Sequence, residues 1–337
     1  MARPLPHPPG AEGPGAEEFE RVRHLVAVSE RDPLAPFALR PDKSYVFAPD
    51  RSAAVGYKVK VGLAVASGDP VGAAEGWADA IAAFVDMARV GNRPIAVLGA
   101  GERARPMWAG HGLSQLAIGR DVVLHRSEFS LQGRRFRNLR QAIQRSRNAG
   151  VQVEIHREGD LRPDLVLELR GLMKRSRRDE PRGFSMILGG LFQGREPDAV
   201  LAVARDRAGA VVGAHRYLWA GKCDLSLDFP IRAHGAPNGV DERLISEVVD
   251  WGSAQGVERV SLAFAPFPDL FANRSRLGLL GRIGYALVHL LDPLISVERL
   301  YRYLRKFHAF DQERYVMLKW RQLLRVLVAL LLLEFGG

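Results

Sequence analysis

A single cysteine, Cys223, among 337 residues leaves no partner for an internal disulfide. No C-x-x-C, H-E-x-x-H or cluster of Cys and His accompanies it, so no metal site is expected, and its place in an apparent strand predicts a core residue. Nor is there a run of about eighteen apolar residues to span a bilayer. Residues 1 to 18 are rich in Pro, Gly and Glu and lack an apolar h-region, so no secretion signal is expected. These absences point to the cytoplasm, with the inner membrane face as the surface a peripheral protein would meet.

Acid is also in short supply. The formal charge is +10 and the isoelectric point near 10.1 with only 26% of residues charged. That balance calls for a polyanionic partner: nucleic acid, an anionic lipid surface, or both. The imbalance is sharpest from Gly133 to Gly150, which holds six arginines and no acid. Phe136, Leu139 and Ile143 give this stretch an inward helical face, and Gly150 supplies its stop. Arg137, Arg140 and Arg147 fall on one outward stripe, with Arg134 at the start of the helix expected over 134–149. Like charges so spaced repel unless a partner neutralises them, which marks the stripe as a phosphate-binding surface.

An apolar content of 47% is enough for one large or two ordinary domains. Residues 1–30 are expected to be a flexible segment, with a helical pattern from Glu17 to Glu30. A strand meander follows (Tyr45–Ala48, Ala53–Tyr57, Val59–Ala66), then a helix over Ala73–Val90 and a strand over Ile95–Leu98. The next loop, Gly99-Ala-Gly101-Glu-Arg-Ala104, fits the dinucleotide fingerprint, with Asp121 about twenty residues on. The helix after it, Arg103 to Ala109, is too short for a Rossmann crossover, and Asp121 opens a strand, so a plain strand-to-helix turn is expected. Strands at Gln115–Ile118 and Asp121–His125 close the first half. The second half repeats the rhythm: strand Val151–His156, helix Leu161–Arg175, strands Ala199–Arg205 and Val211–Trp219. Domain boundaries are therefore expected at 31–128 and 129–337.

The second half centres on Asp224-Leu-Ser-Leu-Asp228-Phe-Pro-Ile-Arg232. Leu225, Leu227 and Phe229 alternate with Asp224, Ser226 and Asp228, the period of a half-buried strand, and Pro230 is expected to end it. Asn238 reads as a helix N-cap with Asp241 in the capping-box position and Glu242 in the first turn. A carboxylate at a strand end beside a polar loop and a helix start is how α/β proteins build sites. An ion pair between Asp228 and Arg232 with a merely capping Asn238 is the structural alternative. The tail holds two apolar helices, Leu277–Leu291 and Leu323–Leu333. The last is too short to span a bilayer; it either packs on the second domain or, with Arg274, Arg276 and Arg282, flanks a lipid entrance.

Taken together, several segments resemble the catalytic domain of bacterial lysylphosphatidylglycerol synthases. They are Ser67-Gly-Asp-Pro-Val-Gly72, Phe129-Ser-Leu-Gln-Gly133 running into the arginine helix, Gly183-Phe-Ser-Met186, Ser226-Leu-Asp228 with Arg232, Pro237-Asn-Gly239 with Glu242, Val260-Ser-Leu-Ala-Phe-Ala265, and Lys306-Phe307 followed by Glu313-Arg-Tyr315. The resemblance runs from about Asp32 to Leu324. It implies an α/β fold of tandem acetyltransferase-like (GNAT) domains, with mixed central sheets flanked by helices. It also implies transfer of an amino acid from aminoacyl-tRNA to a hydroxyl of phosphatidylglycerol at an anionic membrane surface, without a cofactor or metal. Many relatives add a membrane-spanning flippase domain and some a lysyl-tRNA synthetase; the transferase alone is expected here. Asp228, Arg232 and Glu242 are the expected catalytic residues. Ser185, Asn238 and Lys306 are expected to bind substrate, and Arg134, Arg137, Arg140 and Arg147 to bind tRNA. The chain departs from the family in spacing Asp228 and Arg232 one residue wider than Asp-Leu-Met-Arg, and in having Arg120-Asp121 where relatives often have an acidic pair. Lysine, alanine and arginine thus all stay open as the amino acid. A Fem-type peptidoglycan aminoacyltransferase and an acetyl-CoA-dependent N-acetyltransferase remain as alternatives, the latter without its pyrophosphate loop.

Overall fold

The computed structural model describes residues 15–176, 192, 194–266 and 297–335. In chain order its first elements are α1 (Ala16–Val28), β1 (Ser44–Phe47), β2 (Ala53–Lys60), β3 (Leu63–Ser67), β4 (Val71–Gly72), α2 (Trp77–Val90), β5 (Ile95–Ala100), α3 (Arg105–Gly110) and β6 (Ser114–His125). There follow α4 (Arg137–Asn148), β7 (Gln152–Arg157), α5 (Pro163–Arg175), β8 (Val200–Arg205), β9 (Val211–Ala220), β10 (Asp224–Arg232), α6 (Val240–Ala254) and β11 (Arg259–Pro266). The last are α7 (Val297–Leu304), β12 (Phe310–Leu318) and α8 (Leu323–Phe335). The chain forms two compact units: described residues 15–116 and 315–335 make one, and the rest make the other. The division thus falls at 116/117 where 128/129 was expected, and the chain's last helix belongs to the first unit.

In the first unit β1, β2 and β3 form an antiparallel meander, β5 joins β3 in parallel, and residues 315–317 of β12 pair antiparallel with β5. The expected break at Lys58 does not occur; β2 runs on to Lys60 and turns at Val61-Gly62. Helix α2 buries Trp77, Ala80, Ile81, Phe84 and Ala88, the i, i+3, i+4 stripe of a core-facing helix. Phe84 meets Tyr57 and Trp108 edge-on at 5.5 and 5.9 Å, and Phe84→Ala is expected to cost about 3–5 kcal/mol. Residues 16–28, expected to lie in the flexible segment, are helical with Val22, Leu25 and Val26 buried. The Gly99-Ala-Gly101 loop is closed from within: the Gly101 amide donates to the buried carboxylate of Asp69 at 2.7 Å.

In the second unit the strand order is β6-β11-β10-β9-β8-β7. Only β10 and β11 run parallel. Helices α4 and α6 cover one face, where Leu139, Ile143, Leu244 and Val248 pack with Tyr217 and Leu225. Helix α5 covers the other through Leu165, Leu169 and Leu172, against Leu201, Val203, Phe229 and Ile231. Strand β6 is unbroken through Gly119, which pairs with Pro266; a β-carbon there would collide with the Ala265 carbonyl.

Candidate functional site

Strand β10 does not stop at Pro230. It pairs with β9 as far as Arg232, with Pro230 opposite His215. The proline is tolerated because pairing with β11 ends at Ser226–Ser261, so no ladder partner on that side needs its missing N–H. Among the described residues the β10–β11 register covers Asp224–Ser226 and Arg259–Ser261, and the carboxyl ends of such parallel strands are where open α/β sheets bind ligands.

Asp228 is the extra residue of a β-bulge: Leu227 faces Tyr217 and Phe229 faces Arg216. The bulge inverts the strand's phase. Leu225 and Leu227 pack toward α6, whereas Phe229 and Ile231 pack toward α5. Asp228, alternating with Leu227, lies on the α5 side, where Arg216 holds Asp228 Oδ2 and Glu158 Oε2 at 2.5 Å each. These side chains are at most 4% exposed. Burial opposes the Arg216 charge, but the carboxylates of Asp228 and Glu158 outweigh it and hold the guanidinium above its ordinary range. Glu158 also accepts the Phe192 amide at 3.2 Å and lines a cavity of about 230 Å³ with Gly159, Leu161, Val166, Phe192 and Gly194.

The α6 face carries a second network. Past the bulge Arg232 points toward α6 and pairs with Asp241 Oδ2 at 3.3 Å, while its other nitrogen donates to the Ala236 and Pro237 carbonyls. Asp241 Oδ1 meets buried His215 Nε2 at 3.2 Å, and His215 Nδ1 meets the Tyr217 hydroxyl at 3.2 Å. Burial pushes the Asp241 carboxyl up, but His215 and Arg232 outweigh it and leave it below the usual carboxylate range. Glu242 is buried and bound to Lys306 Nζ at 2.9 Å. The Tyr303 hydroxyl, buried beside these groups with no hydrogen-bond partner among the described residues, is pushed well above its ordinary range by burial and by Asp241 and Glu242.

The structure therefore divides the expected catalytic set. Asp228 is mid-strand and buried on the α5 face, not at a strand end; Arg232, Glu242 and Lys306 lie on the α6 face, and Lys306 is committed to Glu242. The Asp228–Arg232 ion pair is replaced by Asp228–Arg216 and Arg232–Asp241. Asn238 is exposed and caps nothing, since Gly239 is the N-cap of α6 at φ +91° and no side chain caps the helix. Only glycine fits there, because a β-carbon would strike the Ala142 carbonyl of α4. Asp241, expected in a capping box, is taken by Arg232 and His215. Ser185, the segment Gly183–Met186, Arg274, Arg276, Arg282 and the helix expected over Leu277–Leu291 lie outside the described residues.

Arg137, Arg140 and Arg147 are exposed on α4, with Arg134 exposed in the turn before it. Arg140 donates to the carbonyls of Leu131 and Gly133, so it also ties down the preceding loop. Cys223 is exposed in the β9–β10 turn, not in the core. Sequence reading missed Glu158, Arg216 and the pair His215–Asp241. The available signal was His215-Arg216 inside the otherwise apolar run Val211–Ala220. Among the described residues no group of three or more His, Cys, Asp or Glu could hold a metal.

The family model described as phosphatidylglycerol lysyltransferase, C-terminal, matches residues 23–318. The chain is 44% identical over 337 residues to the MprF-like domain protein Rv1619 of Mycobacterium tuberculosis, covering 97% of this chain and 69% of that one. It is 36% identical over 301 residues to the lysylphosphatidylglycerol biosynthesis bifunctional protein LysX of Rhodococcus opacus, covering 86% of this chain and 27% of the relative. The chain thus spans about a quarter of the length of that bifunctional relative. The structure of L-PGS from Bacillus licheniformis superposes with a TM-score of 0.82 at 18% identity, covering 97% and 98% of the two chains. A C-terminal domain from Agrobacterium fabrum, assigned to lysylphosphatidylglycerol synthetases, gives 0.79 at 21%, covering 96% and 98%. These likenesses are of fold, and they agree with the mixed sheets flanked by helices expected of the acetyltransferase-like arrangement.

Proposed function

The chain belongs to the phosphatidylglycerol lysyltransferase C-terminal family, and from that premise we propose that it transfers an aminoacyl group, lysine foremost, from tRNA to a glycerol hydroxyl of phosphatidylglycerol. The observation that carries this reading is the buried Glu158–Arg216–Asp228 cluster, whose Glu158 lines a cavity of about 230 Å³. A carboxylate on a cavity wall is a strong acceptor for a cationic guest. Lysine brings two ammonium groups on its aminoacyl ester. In this scheme Glu158, which lines the cavity, holds an ammonium, and Arg216 fixes Glu158 and Asp228 in place.

The ester to tRNA is already activated, so the transfer needs alignment, proton removal and oxyanion stabilisation and nothing more. The lipid hydroxyl oxygen attacks the ester carbonyl, and its proton passes to Asp228, the carboxylate that Arg216 holds in place. Collapse of the tetrahedral intermediate breaks the bond to the tRNA ribose oxygen, which takes the proton back. Arg232 and Lys306, both tied to carboxylates on the other face, are positioning groups for α6 in this scheme. The exposed arginines of α4 engage phosphates of the tRNA acceptor arm. The acceptor lipid places the protein at an anionic membrane face.

The test is incubation of the protein with labelled lysyl-, alanyl- and arginyl-tRNA in turn, together with phosphatidylglycerol. Labelled lipid from lysyl-tRNA is expected. Label from alanyl- or arginyl-tRNA instead would reassign the amino acid, and label passing only to a peptidoglycan precursor would replace the acceptor with the Fem-type one.

A further inference from the structure

Helix α8 packs on β2 and β3 of the first unit with Val326 and Ala329 fully buried. Its other side is not covered. Leu324 is 76% exposed, and Leu327, Val328, Leu331 and Leu332 lie between 39% and 45%. Their spacing of i, i+3, i+4, i+7 and i+8 makes one continuous aliphatic stripe along a helix about 20 Å long. Trp320, 55% exposed, stands just before the helix, and the β2–β3 hairpin adds Val61 at 47%. The hairpin is fixed to α8 by Arg325, which donates twice to the Val61 carbonyl. Basic residues gather at the same end: Lys319, Arg321 and Arg325 come from a stretch, 314–333, that contains no acid.

We infer that this stripe is a membrane-docking surface that seats α8 in the interfacial region of an anionic bilayer. Contiguous exposed aliphatic surface of this kind marks an interaction site and not ordinary surface. The charge selects the occupant. Lys319 and Arg321 at one end of the stripe are neutralised by an anionic headgroup layer, whereas a second copy of a chain already carrying +10 offers no such net negative surface. A tryptophan at one end, leucines along the outward face and arginines beside them is the arrangement that lies in a bilayer interface. Among the described residues no helix is long and apolar enough to cross a membrane, so α8 lies on the surface. The choice of lipid rests on the proposed acceptor; the surface itself does not.

The experiment is co-sedimentation of the full chain with phosphatidylglycerol vesicles and, separately, phosphatidylcholine vesicles, comparing wild type with Leu324→Gln/Leu327→Gln/Leu331→Gln. Three half-exposed leucines withdrawn from lipid correspond to a drop in partitioning of about 100-fold. The expected result is that drop, with an unchanged melting temperature, unchanged transfer to short-chain monomeric phosphatidylglycerol, and weaker wild-type binding to phosphatidylcholine. Vesicle binding equal to wild type overturns the inference. So does a wild-type dimer, seen by sedimentation equilibrium, that the triple variant converts to monomer. If the variant melts early, quenching by brominated lipid decides on folded protein: vesicle-dependent quenching that is lost in Trp320→Phe supports docking, and its absence refutes it. Vesicle binding through α8 without transfer to any lipid would sink the proposed reaction and leave the docking surface standing. Transfer to short-chain lipid without vesicle binding would do the reverse.

Discussion

Arg216→Met tests whether the cluster on the α5 face is the charge network that its geometry describes. The substitution keeps an unbranched apolar stem and removes the guanidinium that bridges Glu158 and Asp228. Both carboxylates are almost wholly buried. Breaking a buried ion network by removing one partner costs about 3–5 kcal/mol, mostly because the remaining charges are left uncompensated. For a unit of this size that is a fall in melting temperature of roughly 10 °C. Urea unfolding followed by circular dichroism at pH 8 measures it. The triple variant Glu158→Gln/Arg216→Met/Asp228→Asn is expected to recover part of the deficit, since the three charges of the network are then removed together. Arg216→Met within about 1 kcal/mol of wild type at pH 8 would refute the reasoning, because that is the ordinary size of a surface substitution.

Asp228→Asn keeps the shape of the bulge and is expected to lower transfer by at least about 100-fold, the usual scale for a general base. Because Asp228 is buried, some loss of stability accompanies it; wild-type transfer rates would remove it from the chemistry. Arg137→Gln/Arg147→Gln is expected to flatten the log-log salt dependence of tRNA binding by about two units. Arg140→Gln should in addition lower the melting temperature by freeing the Leu131 and Gly133 carbonyls, and an unchanged salt slope would leave α4 a solvated face. Burial raises the Asp42 carboxyl, but Arg40 and Lys58 outweigh it and hold it at about 2 against an ordinary 3.8. A depressed carboxylate stabilises above its unfolded value and loses that contribution as pH falls toward the folded one. Asp42→Asn is therefore expected to cost about 1 kcal/mol at pH 7 and nothing near pH 2, and equal cost at both would contradict the pairing.

The strand, helix and strand of Asp224 to Ala265 were readable because Leu225 and Leu227 alternate and Val240, Leu244, Ile245, Val248 and Val249 repeat at helical spacing. The arginine helix was readable for the same reason, through Leu139 and Ile143. Partners that come from distant parts of the chain were not readable. Glu158 and Arg216 are 58 positions apart, and nothing local distinguishes Glu158 from a solvated acid in a polar turn. The terminal helix was assigned to the second domain on proximity in sequence, yet β12 carries the chain back to β5, which no periodicity reveals.

The bulge at Asp228 shows why the strand's alternation did not reveal which face each polar residue takes. Alternation carried through Phe229 puts Leu225, Leu227 and Phe229 on one face and Asp228 on the opposite one, so that Asp228 and Arg232 share a face by parity. One inserted residue reverses that parity for everything after it. Phe229 and Ile231 move to the α5 side, and Arg232 moves to the α6 side. Asp228 is left with Arg216, its neighbour across the ladder. The one-residue-wider spacing between Asp228 and Arg232 lies in this same stretch. The two residues consequently serve different networks on different faces: one joins Arg216 and Glu158 beside a cavity, and the other anchors the first turn of α6. Exchanging their charges, Asp228→Arg/Arg232→Asp, is therefore expected to destroy the fold and not to preserve an ion pair. Circular dichroism of the double variant decides it, and a folded, active protein would show that the two residues do face each other.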